Sequence, residues 1–259
     1  MKLRNKLLFG VGAVTAVAAV AAAVIGKDKN GLPENFTLTA HTGCEGTKDN
    51  SLAAITVGYV SGADVIEFDL NFNKDGVAVL SHNEPMGGEV TLDEAFAHLE
   101  QFPTLKINVD VKNTLDLKQV VECAEKHNLL DRMFYTGIRE EDVEAVKNST
   151  PDVMYYLNVD VDLLRSRSTE YINELVEKVR EAGAVGINMR FTGASPELVN
   201  IFHENGLQVS LWTVNNRFDM KKVLSYGADN ITTRKPSVYK DIIRELTGEA
   251  SPKDEAEYF

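Results

Sequence analysis

The sequence predicts an α/β fold, a single-domain (β/α)8 barrel of the TIM type, on three observations. Short β-rich runs alternate with amphipathic stretches of helical period, and there are eight such pairs. The polar residues of chemical interest gather after the first, second and third runs, with more after the seventh, where the upper mouth of a barrel would collect them. An open doubly wound sheet is the alternative, but it usually shows a Gly-rich phosphate turn after its first strand and binds at a switch point, so this distribution favours the barrel.

In chain order, strands are expected at residues 36–40, 65–70, 105–111, 132–136, 153–157, 185–189, 208–213 and 230–232, each followed by a helical pattern. The second unit is irregular. There Asn73-Lys74-Asp75-Gly76 reads as a turn into an extra strand at 77–80, which delivers His82. Helix punctuation agrees with the count: Thr91 precedes Glu94 at capping-box spacing, Ser195-Pro196 opens a helix, and Asn205-Gly206 closes it.

The N-terminus is read apart from the domain. Lys2, Arg4 and Lys6 precede an uncharged apolar run at residues 7–26, close to the ~20 residues that span a bilayer. A retained transmembrane helix is the favoured reading over a cleaved signal peptide, and the basic cluster would keep its own end cytoplasmic. Residues 1–30 are thus expected to form a basic stub, anchor and the start of a linker, residues 31–247 the barrel on the outer face of the cell membrane, and residues 248–259 an acidic tail.

Beyond residue 30 the chain carries 22 Lys and Arg against 38 Asp and Glu, a formal charge of about −16. Such a surface repels nucleic acid, so an anionic substrate would have to be held by a local device. Two cysteines, Cys44 and Cys123, are too few for a disulfide scaffold, and neither shows zinc-ligand spacing. His98, His127 and His203 fall in or at the ends of helical patterns and read as surface residues. The sequence does not fix an oligomeric state.

Alternate residues of a strand share a face, so Glu67 and Asp69 point the same way near the end of the second strand, as do Asp110 and Lys112 near the third. Acidic side chains flanked by Val65, Ile66, Phe68 and Leu70 need compensation, and three clustered carboxylates are hard-oxygen ligands suited to one divalent cation, Mg2+ or Ca2+. The competing reading is internal salt bridging to Lys112 or Arg190 with no metal. His41 ends the first strand and His82 follows the extra one, so both imidazoles reach the same mouth. Splitting a phosphodiester needs charge stabilisation on the phosphoryl oxygens, a base and an acid, and this set supplies all three, with the direction of proton transfer left open. Lys112 would hold phosphate; Trp212 would form an apolar wall for the alcohol or plug the barrel top.

At these residues the chain resembles the glycerophosphodiester phosphodiesterase family of TIM barrels, across nearly the whole domain. His41-Thr42-Gly43 stands where that family has His-Arg-Gly, Asp49-Asn50-Ser51 where it has Glu-Asn-Thr, and Val65-Ile66-Glu67-Phe68-Asp69 resembles its metal-binding strand. Lys74-Asp75-Gly76-Val77 with Ser81-His82, Ile107-Asn108-Val109-Asp110-Val111-Lys112, Trp212-Thr213-Val214-Asn215 and Gly227-Ala228-Asp229 are similar too. The resemblance implies a metal-dependent phosphoric diester hydrolase acting on a small-molecule or lipid-headgroup phosphodiester. It implies His41 and His82 as acid/base pair, Glu67, Asp69 and Asp110 as metal ligands, and Lys112 as a phosphate contact. Thr42 replaces the phosphate-binding arginine, with Arg190 as a candidate substitute, and Asn83 replaces an Asp. Asp110 is one methylene shorter than the usual Glu, and the segment at 85–90 is shorter than the family's substrate-covering insertion. These departures leave open a lipid phosphodiesterase of the phospholipase D or C type that forms a cyclic phosphate, and a catalytically inactive barrel that binds a phospho-ligand. A sugar isomerase on the same fold is a third reading, short of an acid pair.

Overall fold

Eight parallel strands close on themselves because the first pairs with both the second and the last. The computed structural model describes Pro33 and residues 35–247. The strands are β1 (Thr37–Ala40), β2 (Val65–Phe72), β4 (Lys106–Val111), β5 (Met133–Ile138), β6 (Tyr155–Asn158), β7 (Gly186–Arg190), β8 (Gln208–Trp212) and β9 (Asn230–Thr233), with a short β3 (Ala78–Leu80) outside the ring. Thr39 pairs with Val65 of β2 on one side and with Thr232 of β9 on the other, which shuts the barrel. The helices around it are α1 (Leu52–Val60), α2 (Leu92–Leu99), α3 (Leu117–Lys126), α4 (Val143–Ser149), α5 (Thr169–Ala182), α6 (Pro196–Glu204), α7 (Arg217–Tyr226) and α8 (Pro236–Thr247).

The barrel expected from the alternation of runs is therefore present, and so is the irregular second unit. Asn73 Oδ1 accepts from the backbone N–H groups of Asp75 and Val77, Gly76 takes φ +76°, and β3 runs antiparallel to the far end of β2 with Leu80 opposite Leu70. Thr91 and Glu94 form the capping box of α2, and Ser195 caps α6 with Pro196 in its first turn. The expected anchor at 7–26 and tail at 248–259 lie outside the described residues. Among those described, no helix is long and apolar enough to cross a membrane.

Strand β2 shows how sequence period becomes a site. All eight of its residues are buried, but on two different faces. Ile66, Phe68 and Leu70 point outward into the apolar layer under the helices, where Phe68 packs against Phe96 of α2 at 6.3 Å between ring centroids. Glu67, Asp69 and Asn71 point into the barrel. Barrel interiors are usually filled with branched aliphatic side chains. Here polar pairs replace many of them: Thr39 Oγ1 donates to Asn230 Oδ1 (2.6 Å), Thr136 Oγ1 to Asn108 Oδ1 (2.8 Å) and Asn188 Nδ2 to Asn158 Oδ1 (2.8 Å). In these three pairs each polar group finds its partner on the neighbouring strand, which satisfies it without water.

The three histidines read as surface residues do not all stay there. His127, just past α3, is only 8% exposed, because Glu100 Oε1 lies 2.6 Å from Nδ1 and Asp93 Oδ1 lies 2.9 Å from Nε2 and both take the place of water. His203 Nε2 is 2.9 Å from Asp229 Oδ2, and His98 Nε2 is 2.8 Å from Thr56 Oγ1. Helical period locates such residues but does not reveal carboxylates on a neighbouring helix. Cys44, in the turn after β1, and Cys123, in α3, are both free.

Candidate active site

The C-terminal ends of the strands converge on a cavity of about 280 Å³ lined by His41, Glu67, Asp69, His82, Asp110 and Lys112, together with Arg139 after β5 and, from the opposite arc, Arg190 and Trp212. All eight residues assigned a site role by sequence thus line one cavity. β2 and β4 run in register, with Asp69 directly opposite Asp110, and this pairing sets the carboxylates side by side. Oxygens of Glu67, Asp69 and Asp110 lie within 4.8 Å of one another.

Three clustered carboxylates need compensation, and the chain provides only part of it. Lys112 Nζ lies 2.7 Å from Asp110 Oδ2 and 3.2 Å from Asp69 Oδ1, so the internal salt bridge weighed from sequence does form. Burial pulls the Lys112 ammonium toward its neutral form, yet the two carboxylates outweigh it and hold its pKa above the ordinary value. Glu67 has no such partner. Its Oε2 accepts from the backbone N–H of Thr42 at 2.8 Å, but burial first, and then the charges of Asp69 and Asp110, push its pKa well above the usual carboxylate range. Asp110 is also raised, burial outweighing Lys112. Its Oδ1 is buried with no hydrogen-bond partner. Three carboxylates whose oxygens lie this close, one of them with an unpartnered buried oxygen, are a hard-oxygen ligand set, so these residues fit the Mg2+ or Ca2+ expected from the sequence.

The backbone around the trio is shaped to admit it. A Cβ at Gly137, which has φ +82°, would stand 2.4 Å from Asp110 Oδ1. On the other flank, Asn50 Nδ2 donates to Asp69 Oδ2 at 2.9 Å while Asn50 Oδ1 accepts from the Asp69 N–H at 3.0 Å. Asn50 holds φ +53° to do this, a conformation Asn adopts more readily than most residues. Its motif drew notice in the sequence, but no role.

The imidazoles sit differently. His41 is partly buried, and its Nδ1 lies 2.8 Å from the Thr42 carbonyl, an acceptor only, so Nδ1 carries the proton and Nε2 is left bare. Burial holds its pKa below the ordinary value, which keeps it neutral at pH 7. His82 is exposed at the end of the β3 arm, with Nδ1 3.2 Å from Asn83 Oδ1.

Thr42 does not take over the place of a phosphate-binding arginine: it is 3% exposed and its hydroxyl is tied to Asn50. Arg190, the substitute considered from sequence, lies with its guanidinium 5.1 Å from the Trp212 ring centroid on the far arc. Two further cations were not foreseen. Arg139, just past β5, lines the cavity and pairs with Asp160 at 3.0 Å. Arg234, just past β9, holds Asp49 through both guanidinium nitrogens at 2.6 and 3.1 Å, directly over Gly43. Only closure of β9 against β1 brings position 234 to position 43, and no local pattern announces it.

A (β/α)8 barrel whose mouth gathers two imidazoles and a carboxylate trio in one cavity defines a candidate hydrolase site. Residues 30–238 match the model of the Glycerophosphoryl diester phosphodiesterase family. The chain belongs to that family, one of phosphoric diester hydrolases. It is 24% identical over 247 residues to a glycerophosphodiester phosphodiesterase of Caldanaerobacter subterraneus, covering 79% of this chain and 96% of that protein. The fold is similar to that of a glycerophosphodiester phosphodiesterase from Parabacteroides distasonis, with TM-score 0.69, 18% identity, and 86% of this chain and 100% of the other covered. It is also similar to an Oleispira antarctica phosphodiesterase solved with the product sn-glycerol-3-phosphate, with TM-score 0.67, 18% identity and coverage of 82% and 97%.

Proposed function

We propose that this chain hydrolyses glycerophosphodiesters, or a related phosphodiester of a lipid or polymer headgroup, by two-histidine acid/base catalysis beside one divalent cation. The observation that carries the reading is the single cavity in which His41 and His82 meet three carboxylates, one of them with an unpartnered buried oxygen. Glu67, Asp69 and Asp110 would hold the cation, Mg2+ or Ca2+. When bound it supplies positive charge to the phosphoryl oxygens and offsets the charge that builds up as the diester is attacked.

The remaining work falls to the chain. Lys112, already seated between Asp69 and Asp110, presents its ammonium at the inner end of the cavity and orients the phosphoryl group. His41, neutral and with Nε2 free, takes the proton of the attacking water, or of a substrate hydroxyl where a cyclic phosphate forms. His82, on the exposed arm, gives a proton to the leaving oxygen and recovers one from solvent. Arg190 and Trp212 meet the alcohol portion across the barrel. The basic N-terminus ahead of an apolar run supports action at the outer membrane face, where such headgroups are found.

The test is release of nitrophenol from bis(p-nitrophenyl) phosphate, alongside a panel of glycerophosphodiesters, in chelator and then with Mg2+ or Ca2+ restored. Turnover that returns with the ion and disappears in both His41→Ala and His82→Ala is expected. Phosphorus NMR of the products separates hydrolysis from cyclic phosphate release. A folded protein that binds a phosphodiester without turning over any member would instead be the inactive binding barrel, a reading that the inward-turned hydroxyl of Thr42 motivates.

A further inference from the structure

On the outer wall of the barrel, between α2 and α3, a second group of potential ligands is drawn together away from the mouth. Asp93 lies in the first turn of α2; Cys123 and His127 are four residues apart at the end of α3, on one helical face. Ligand atoms of the three, Asp93 Oδ1, Cys123 Sγ and His127 Nε2, lie within 4.8 Å of one another, with Oδ1 3.8 Å from Sγ and 2.9 Å from Nε2. In a tetrahedral zinc site, bonds of roughly 2.0–2.3 Å place ligand atoms roughly 3.2–3.7 Å apart, so the two pairs that include Asp93 need adjustments of less than about 1 Å and the Cys123–His127 pair one of at most about 1.6 Å.

Two further observations separate this group from a chance surface cluster. The His127 ring is buried, and its other nitrogen, Nδ1, lies 2.6 Å from Glu100 Oε1. A carboxylate on the far nitrogen fixes the ring so that Nε2 faces the ion, the arrangement that supports zinc-bound histidines. A cavity of about 280 Å³ lined by Val77, Thr91, Asp93, Glu122, Cys123 and Lys126 reaches Asp93 and Cys123 from the side of the β2–β3 hairpin, while His127 is buried and does not line it. It provides an entry path and room for a fourth ligand.

We propose that Asp93, Cys123 and His127 form a binding site for a transition-metal ion of the zinc class. A thiol ligand selects against Mg2+ and Ca2+, so this site and the carboxylate trio at the mouth take different ions. Binding displaces the Cys123 thiol proton and the His127 Nε2 proton to solvent. It also displaces Lys126, whose ammonium pairs with Asp93 Oδ1 when the ion is absent. The ion would staple α2 to α3, and α2 begins at Thr91, which bridges Val79 of the arm that carries His82.

The experiment uses the reduced full chain with saturating Mg2+ to fill the oxygen site, titrated with Co2+ as a spectroscopic stand-in for Zn2+. A thiolate-to-Co2+ charge-transfer band is expected in the wild type and in Cys44→Ser, abolished by Zn2+ and missing from Cys123→Ser. Lys126→Gln should tighten the titration on the order of fivefold, because a competing charge is removed. If Cys123→Ser does not fold, protection of Cys123 in the wild type from alkylation by Zn2+, read by mass spectrometry, replaces it. A folded wild-type protein with no band and no Zn2+ protection, or a band that persists in Cys123→Ser, overturns the proposal. In that case His127 is an imidazolium clamp between Asp93 and Glu100.

Discussion

Lys112 holds Asp110 by one oxygen only: its Nζ lies 2.7 Å from Oδ2, while Oδ1 stays buried without a partner. The ammonium is therefore a partial counter-ion, and in the proposed function a divalent cation supplies the rest. Lys112→Met should cost roughly 1–3 kcal/mol of stability in chelator, below the roughly 3–5 kcal/mol of breaking a fully buried pair because Lys112 remains 24% exposed. Most of that loss should be recovered in Mg2+ or Ca2+. Urea unfolding in both conditions measures it, and an equal loss in each would show that Lys112 and the ion do not share the charge.

Asn50 spends both ends of its amide on Asp69. Asn50→Gly keeps the positive φ while removing the amide, so it isolates the side chain's effect from backbone strain. Divalent-ion affinity should fall roughly 10–100-fold, as when the partner that orients a metal ligand is lost. Calorimetric titration of the chelator-treated protein measures this directly.

The sequence made the barrel and most of the site readable for a common reason. Strand period puts Glu67 and Asp69 on one face, and the cost of burying them among Ile66, Phe68 and Leu70 marks them as functional. What stayed hidden depends on contacts between distant positions. Arg234 reaches Asp49 across 185 residues, through closure of the barrel. Likewise His127 owes its burial to Asp93 and Glu100 on another helix, which helical period cannot show. Asn50 was visible as part of a motif, but its role needed the distance to Asp69.

Gly43 has no space for a side chain. A Cβ there would stand 1.7 Å from Asp49 Oδ1 and 2.5 Å from Arg234 Nη1, on a backbone with φ +70°. At Gly76, also at positive φ, a Cβ would meet nothing within 4 Å. Gly76→Ala should therefore cost only the conformational term, roughly 1–2 kcal/mol. Gly43→Ala should cost more, because the Asp49 and Arg234 side chains must swing away and give up their ion pair. Equal losses in the two variants would contradict the clash.

The hydrogen bonds from Arg234 hold the Asp49 carboxyl below its ordinary pKa. A depressed carboxylate contributes stability above its unfolded pKa of about 3.9 and loses it as pH falls through the lower folded value. Arg234→Gln should thus be less stable than wild type at pH 7, by under about 1 kcal/mol for so exposed a pair. The difference should shrink toward zero as acid protonates Asp49 in both proteins. Paired unfolding curves from pH 7 downward test the sign; a difference that grows in acid would refute it.

Arg190 ends β7, which lies four strands from β2 in either direction around the ring, so its guanidinium faces the carboxylate trio from the opposite arc. There it rests over Trp212 at 5.1 Å, and no carboxylate pairs with it among the described residues. A cation held by a ring face rather than by an anion remains available to a ligand. Arg190→Ala should raise KM about tenfold, the loss of one charge-assisted contact, with kcat changed less than about threefold because the proposed acid/base pair, His41 and His82, lies across the barrel. Trp212→Ala should raise KM as well, since it removes both the apolar wall and the platform under Arg190. Because the two side chains act as one unit, the double variant should lose less than the product of the single effects. Multiplicative losses would show that Arg190 and Trp212 meet the substrate independently, and a fall in kcat alone would place Arg190 with the chemistry instead of the alcohol.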